Sequence, residues 1–204
     1  MKRENTEISA QLSALVGSRI CHDLISPLGA ISNGIELLEM SNLADTPEVQ
    51  LIAESIANAN ARILFFRVAF GSSTETQRIN QSEINQTLGA IAAGARVQYR
   101  WQAAGDHSRP DVRILFLLIL CIESAMAFGG EITVQSVDGK WRICGEADKL
   151  KIDQPLWDTL SAPSSQAAKI PASAVHFALV TEHCRAADRR LKVDLTDQKI
   201  RIEF

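Results

Sequence analysis

His22 and Asp23 stand side by side in the stretch Ser18-Arg19-Ile20-Cys21-His22-Asp23-Leu24-Ile25-Ser26-Pro27-Leu28. A neutral imidazole is a nucleophile near pH 7, and the adjacent carboxylate can hydrogen-bond a nearby polar group or act as an acid/base. Helical residues advance by about 100° each, so directions follow from the sequence. With His22 set at zero, Leu24, Leu28, Ile31, Ile35 and Leu38 all point between about 160° and 240°. The imidazole therefore faces away from the apolar side. Ser26, Gly29 and Asn33 share its face, and all are small or polar, so a partner has room to approach closely. A lone exposed histidine is ordinarily just solvated; here the neighbours argue otherwise. Pro27 also lies inside this periodic stretch, where an interior proline costs ~3 kcal/mol or more and bends the helix.

The elements that must hold this histidine fall into two halves. Residues 5 to 70 carry no strand signal and break once, at Ser41 to Pro47. Thr46 can cap a second helix with Pro47 at its first position, where a missing N–H costs nothing. A loop this short sets the helices antiparallel. Val49, Ile52, Ile56, Ala59, Ile63, Phe66 and Phe70 form the second helical seam. Together the seams present about a dozen large apolar side chains, each worth roughly 1.5–3 kcal/mol when buried, and a hairpin alone cannot enclose them. Either the C-terminal half folds back over that face or a second copy completes a four-helix bundle; the dimer is the favoured expectation.

From residue 76 the pattern becomes mixed. Thr76 to Ile79 reads as a short strand, Gln81 to Ala93 as a helix and Val97 to Trp101 as a strand. Gly105 to Pro110 reads as a turn or loop, and Asp111 to Phe128 as a strongly apolar helix. Glu131 to Val137 and Lys140 to Glu146 form a hairpin around Asp138-Gly139. Pro155 to Leu160 reads as a short helix, Ser161 to Gln166 as a loop and Pro171 to Ala187 as a helix. Strands Leu191 to Leu195 and Lys199 to Phe204 close the chain. The expected fold class is α+β: an N-terminal helical hairpin over 1–74 and an α/β sandwich with helices on one face over 75–204.

The bulk numbers exclude several functions. Among 204 residues, 46% are apolar and 22% charged, with a net charge of −3, so nucleic acid gains no electrostatic attraction. The four cysteines form no CxxC pair and read as reduced thiols rather than a zinc site. No signal-peptide core or membrane-length apolar run is present, and a soluble cytoplasmic protein is expected. No Walker A or GxGxxG stretch occurs. His176 and His183 lie on one expected helix, too far apart to chelate together, and His107 falls in the expected loop. All three read as structural or solvated.

The stretch around His22 resembles the H-box of histidine kinases: a histidine, an acidic residue, a spacer, a small polar residue, then Pro-Leu. His22, Asp23, Ser26, Pro27 and Leu28 match position for position, although Ile25 stands where many kinases have a basic residue. The resemblance continues from Leu118 through Val134, which looks like the kinase N-box helix and its following strand. Leu120 and Ser124, with Glu123 beside them, take the positions of the two kinase asparagines that serve magnesium and nucleotide, and leucine cannot ligate a metal. Ile143 to Lys149 lacks the Asp-x-Gly-x-Gly spacing. Pro171-Ala172-Ser173 replaces the glycine-rich turn before the last helix, adding Cβ atoms and removing a donor.

A kinase-like hairpin with an intact H-box, joined to a nucleotide domain without nucleotide chemistry, is similar to the ChpT-type histidine phosphotransferases of bacterial phosphorelays. The resemblance implies a homodimer that docks receiver domains, those of a hybrid histidine kinase and of response regulators, beside His22. It implies phosphoryl transfer between receiver aspartates through a phosphohistidine at His22, with Asp23 assisting. Arg19, about 60° from His22, would neutralise phosphoryl oxygens, and Ser26, Gly29 and Asn33 would give clearance or contact the partner. No cofactor of its own is implied, since Mg2+ would arrive bound to the receiver. Competing readings are an active kinase core with an unusual ATP site, a non-catalytic dimeric adaptor or inhibitor, and a phosphatase of phosphorylated receivers.

Overall fold

The computed structural model describes residues 16, 20, 23–24, 27, 29–31, 33–34, 37, 47–71, 76–160 and 170–204. Arg19, His22 and Ser26, the loop before Pro47 and the loop from Ser161 lie outside the described residues. The architecture is mixed α+β. In chain order α1 (Pro47–Ala69) is followed by β1 (Arg78–Asn80), α2 (Gln81–Ala92), β2 (Val97–Trp101), β3 (Asp106–Ser108) and α3 (Arg109–Ala125). Next come β4 (Gly130–Val137), β5 (Lys140–Glu146), α4 (Gln154–Asp158), a 3-10 turn (Ala172–Ala174), α5 (Val175–Ala186), β6 (Lys192–Leu195) and β7 (Lys199–Glu203). Ahead of them the described residues between 16 and 37 are helical and belong to a leading helix. No described helix is long and apolar enough to cross a membrane.

The main sheet runs β2-β4-β5-β7-β6, with β2 parallel to β4 and the remaining pairs antiparallel. The β4–β5 hairpin turns where the sequence puts Asp138-Gly139, and both residues have positive φ (52° and 74°), as a tight primed turn requires. The sheet alternates as a one-sided sheet must. Ile132, Val134, Ile143, Ile200 and Ile202 are buried on one face. On the other, Arg100–Glu131, Arg142–Glu203 and Lys199–Glu146 form ion pairs. Helix α3 covers the apolar face and is buried almost all round, from Ile114 to Ile122.

Two expectations are corrected here. The expected loop over Gly105 to Pro110 contains β3, which pairs antiparallel with β1, His107 opposite Ile79. Gly105 and Pro110 punctuate the segment on both sides, which hides a three-residue strand whose pairing depends on a partner far away in sequence. His107 is consequently buried, its ring centroid 5.6 Å from Trp101 and 5.1 Å from Trp141. The apolar helix also begins at Arg109 and ends at Ala125, earlier than its hydrophobicity suggests. Pro110 falls in its first turn, where proline fits.

Helix α1 joins both halves of the chain. Phe65 is fully buried and stacks on Phe116, with centroids 4.7 Å apart, while Phe66, Val68 and Ala69 enter the same core cluster. The C-terminal half does fold over this end of the seam. Arg109 Nη2 donates to Arg67 O at 3.2 Å, and Arg113 Nη2 donates to Gly71 O, so α3 satisfies carbonyls that the end of α1 leaves open. Further up, Leu51, Ile56, Ile63 and Leu64 are exposed. Gly34 of the leading helix is buried against α1: a Cβ there would meet the Ile52 side chain and stand 3.3 Å from Glu48 O.

Two consequences can be measured. Gly129, between α3 and β4, has φ of +93°, and a Cβ would stand 2.5 Å from Arg96 O. Gly129→Ala is expected to cost about 1–3 kcal/mol, lowering Tm by roughly 2–4 °C per kcal/mol in a thermal melt. On α5, burial first and the Arg113 charge second hold the His183 imidazole down from 6.5 to about 4. Between those values the unfolded chain binds a proton that the folded chain refuses, so stability falls as pH drops through the window. Each pH unit there costs up to about 1.4 kcal/mol. Urea titrations of His183→Gln between pH 6.5 and 4.5 should show a flatter decline than the parent chain.

Candidate functional site

A cleft of about 370 Å3 runs between the helices and the downstream α/β unit. The leading helix lines it with Asp23, Pro27 and Ala30, and α1 with Ser55, Asn58 and Arg62. The opposite wall is Ile91 of α2 and the turn Ala93-Gly94-Ala95. That turn is possible because Gly94 takes φ of +74°, and its small side chains keep the wall low. Asn80 sets the direction of α2 by accepting the Glu83 backbone N–H at 2.9 Å, an N-cap. Gly29 and Asn33, which share the wheel face of His22, are exposed. Asp23, Pro27 and Ala30 fall about 80–140° around the wheel, on the flank that meets the cleft.

Behind Arg62 lies a polar connection between three elements. The Tyr99 hydroxyl on β2 donates to Glu123 Oε1 on α3, and Arg62 Nη1 stands 3.9 Å from Glu123 Oε2. Burial, then the Glu123 carboxylate, pushes the Tyr99 phenol far above its ordinary range, so it remains a hydrogen-bond donor at any physiological pH. The side chain of Arg62 is 34% exposed and that of Glu123 17%, which puts the cation on the cleft side and the anion behind it.

Leu120, Ser124 and the segments after β5 and before α5, which the sequence comparison with kinases singles out, are engaged within the fold. Leu120 is buried in the core, and the Ser124 hydroxyl donates to Cys121 O at 2.6 Å. The segment after β5 is pinned by backbone bonds: Ala147 N–H to Gln198 O, Leu150 N–H to Asp197 O and Lys151 N–H to Ala125 O. Ala172–Ala174 forms a 3-10 turn before α5. The buried thiols are held protonated, burial lifting Cys184 to about 12 and Cys121 well above its ordinary value. Among the described residues no group of three or more His, Cys, Asp or Glu could hold a metal ion.

Of the residues singled out from the sequence, Asp23, Gly29 and Asn33 can be placed, the first in the cleft and the other two on the exposed face. Sequence reasoning missed Arg62 and its link to Glu123 and Tyr99. A signal was present: Ser55, Asn58 and Arg62 recur at helical spacing as a polar stripe beside the apolar seam of α1.

Residues 81–199, more than half the chain, match the family model described as histidine phosphotransferase C-terminal domain. The chain is 36% identical over 126 residues to "Protein phosphotransferase ChpT" of Brucella abortus (strain 2308), a match covering 61% of this chain and 60% of that protein. The chain thus spans about three-fifths of the curated relative's length. Its fold is similar to a solved bacterial phosphotransferase structure, with a TM-score of 0.78, 28% identity and 95% of each chain covered. On this match across most of its α/β half, the chain belongs to the histidine phosphotransferase family.

Proposed function

We propose that this chain is a histidine phosphotransferase of a two-component phosphorelay, carrying phosphoryl groups between receiver-domain aspartates on His22. The observation that carries the reading is the exposed helical face bearing Gly29 and Asn33, which adjoins a cleft headed by Asp23, within a chain of the phosphotransferase family. The imidazole Nε2 lone pair attacks the phosphorus of a receiver's aspartyl phosphate. The N–P bond forms as the acyl O–P bond breaks, and the bonding pair returns to the aspartate carboxylate. No proton has to move in that step, and Asp23 holds the Nδ1–H of the resulting phosphoimidazolium. An aspartate on a second receiver reverses the chemistry. The transition state is loose, so in-line positioning and nearby positive charge provide most of the catalysis. Arg19 contributes charge, Ser26 clearance, and the receiver brings its own Mg2+. ATP-dependent kinase activity is not expected, since Leu120 is buried and Glu123 is engaged with Tyr99 and Arg62.

The reading includes a cytoplasmic homodimer. Gly34 meets Ile52 and Glu48 of α1, whereas Asp23, Pro27 and Ala30 share the cleft with Ser55, Asn58 and Arg62. Later residues of one helix meet earlier residues of the other, which supports an antiparallel hairpin over 1–74 ahead of the 75–204 domain. Ile56 and Ile63 lie one heptad apart and are 44% and 48% exposed, an uncovered seam that a second copy would close as a four-helix bundle.

Mixing the protein with a phosphorylated receiver should place acid-labile label on it, and His22→Ala should abolish that label. Label persisting in the variant would refute the site. An adaptor that never accepts phosphate would leave both chains unlabelled, and an active kinase would label itself from ATP. Analytical ultracentrifugation should find a dimer that Ile56→Glu combined with Ile63→Glu converts to monomer. A monomeric parent chain would rule the bundle out.

A further inference from the structure

We propose that Arg62 is a second phosphoryl-binding cation, held at rest by Glu123 and handed to the phosphoryl group when a phosphorylated receiver docks; the proposal rests on His22 being the phosphoryl carrier. Among the described residues that line the cleft, Arg62 is the cation, and it shares that cleft with Asp23, the residue next to His22. Its resting contact with Glu123 is loose: 3.9 Å, against about 2.7–2.9 Å for a well-formed charged hydrogen bond. Glu123 does not depend on it, because the Tyr99 hydroxyl already donates to the other carboxylate oxygen. Departure of Arg62 therefore leaves the partly buried carboxylate hydrogen-bonded, which keeps the cost of release low.

The exchange favours the incoming group. A carboxylate carries one negative charge, whereas a phosphoryl group carries about 1.5 to 2, with three acceptor oxygens that suit the guanidinium fork. During transfer the N–P bond forms as the acyl O–P bond breaks, and negative charge spreads over those oxygens in flight. A guanidinium entering from the cleft would stabilise that charge without blocking the face through which the receiver approaches. The backbone of α1 need not move, since Phe65 and Phe66 anchor the following turn in the core.

The alternative is a strut: Arg62, Glu123 and Tyr99 merely brace α1 against the sheet. Single-turnover labelling of the full-length protein by a phosphorylated receiver, at saturating receiver, separates the two. Arg62→Gln is expected to slow labelling by about ten- to a hundredfold, and Arg62→Lys to recover part of the rate by keeping the charge. Glu123→Gln should label faster than the parent, because the competing counter-ion is gone. A strut predicts that Glu123→Gln slows along with Arg62→Gln. The proposal is overturned by that result, by Arg62→Gln at the parental rate, by Arg62→Lys no faster than Arg62→Gln, or by Glu123→Gln giving no gain. No label on the parent chain sinks the His22 reading and this proposal together; normal parental label with an indifferent Arg62 sinks only this proposal.

Discussion

Where the cleft stands is decided by the stack of Phe65 on Phe116, which ties the end of α1 to the middle of α3. Both rings are fully buried in the cluster that also holds the apolar face of the sheet. An interior packed to crystal-like density resists sliding, so the turns of α1 just above Phe65 inherit a fixed distance from β2 and α2. Arg62 lies less than one turn above that stack, and Asn58 and Ser55 follow along the same stripe. The cleft is thus a by-product of burial: the helix is held at its lower end and kept apart from the α/β unit by the low wall of Ala93-Gly94-Ala95.

The same anchoring divides the labour along α1. Its lower turns are covered by the chain's own C-terminal half, whereas Ile56 and Ile63 are not. The seam is therefore covered at one end and open at the other, and a sequence pattern that treats it as uniform cannot say where the covered part ends. Periodicity does place Phe66 in the seam, yet Phe65 beside it is the more deeply buried residue. Heptad phase describes a helix against a parallel neighbour, and near its end α1 packs instead on α3, whose residues are apolar on every side.

Much of the sheet could be read directly. The Asp138-Gly139 turn, the alternation in β4 and β5 and the two closing strands all follow from local chemistry. The pairing of β1 with β3 does not, since neither short strand has a recognisable pattern without the other. Something similar holds at the candidate site. Asp23, Gly29 and Asn33 are legible because they are consecutive with, or in helical phase with, the histidine that the sequence singles out. The cleft was not, because alanine and glycine announce no chemistry, and Glu123 meets Tyr99 only after the parallel β2–β4 pairing brings distant segments together.

Leu120, Glu123 and Ser124 lie together near the end of α3, and the folded chain has to satisfy the polar groups among them. Here the solution is internal. A leucine enters the core, a serine hydroxyl bonds back to its own helix, and a glutamate accepts from a tyrosine. Each arrangement would stabilise the domain whatever its function, because a buried polar group without a partner costs about 1–3 kcal/mol. Only the glutamate also reaches outward, to an arginine on the cleft side. That asymmetry turns a stability device into an electrostatic one. The Tyr99–Glu123 bond fixes a negative charge at a set depth behind the cleft, and that charge holds Arg62 beside the helix flank carrying Asp23. Pure core packing could fill the same space, but it would set no negative charge 3.9 Å from that arginine.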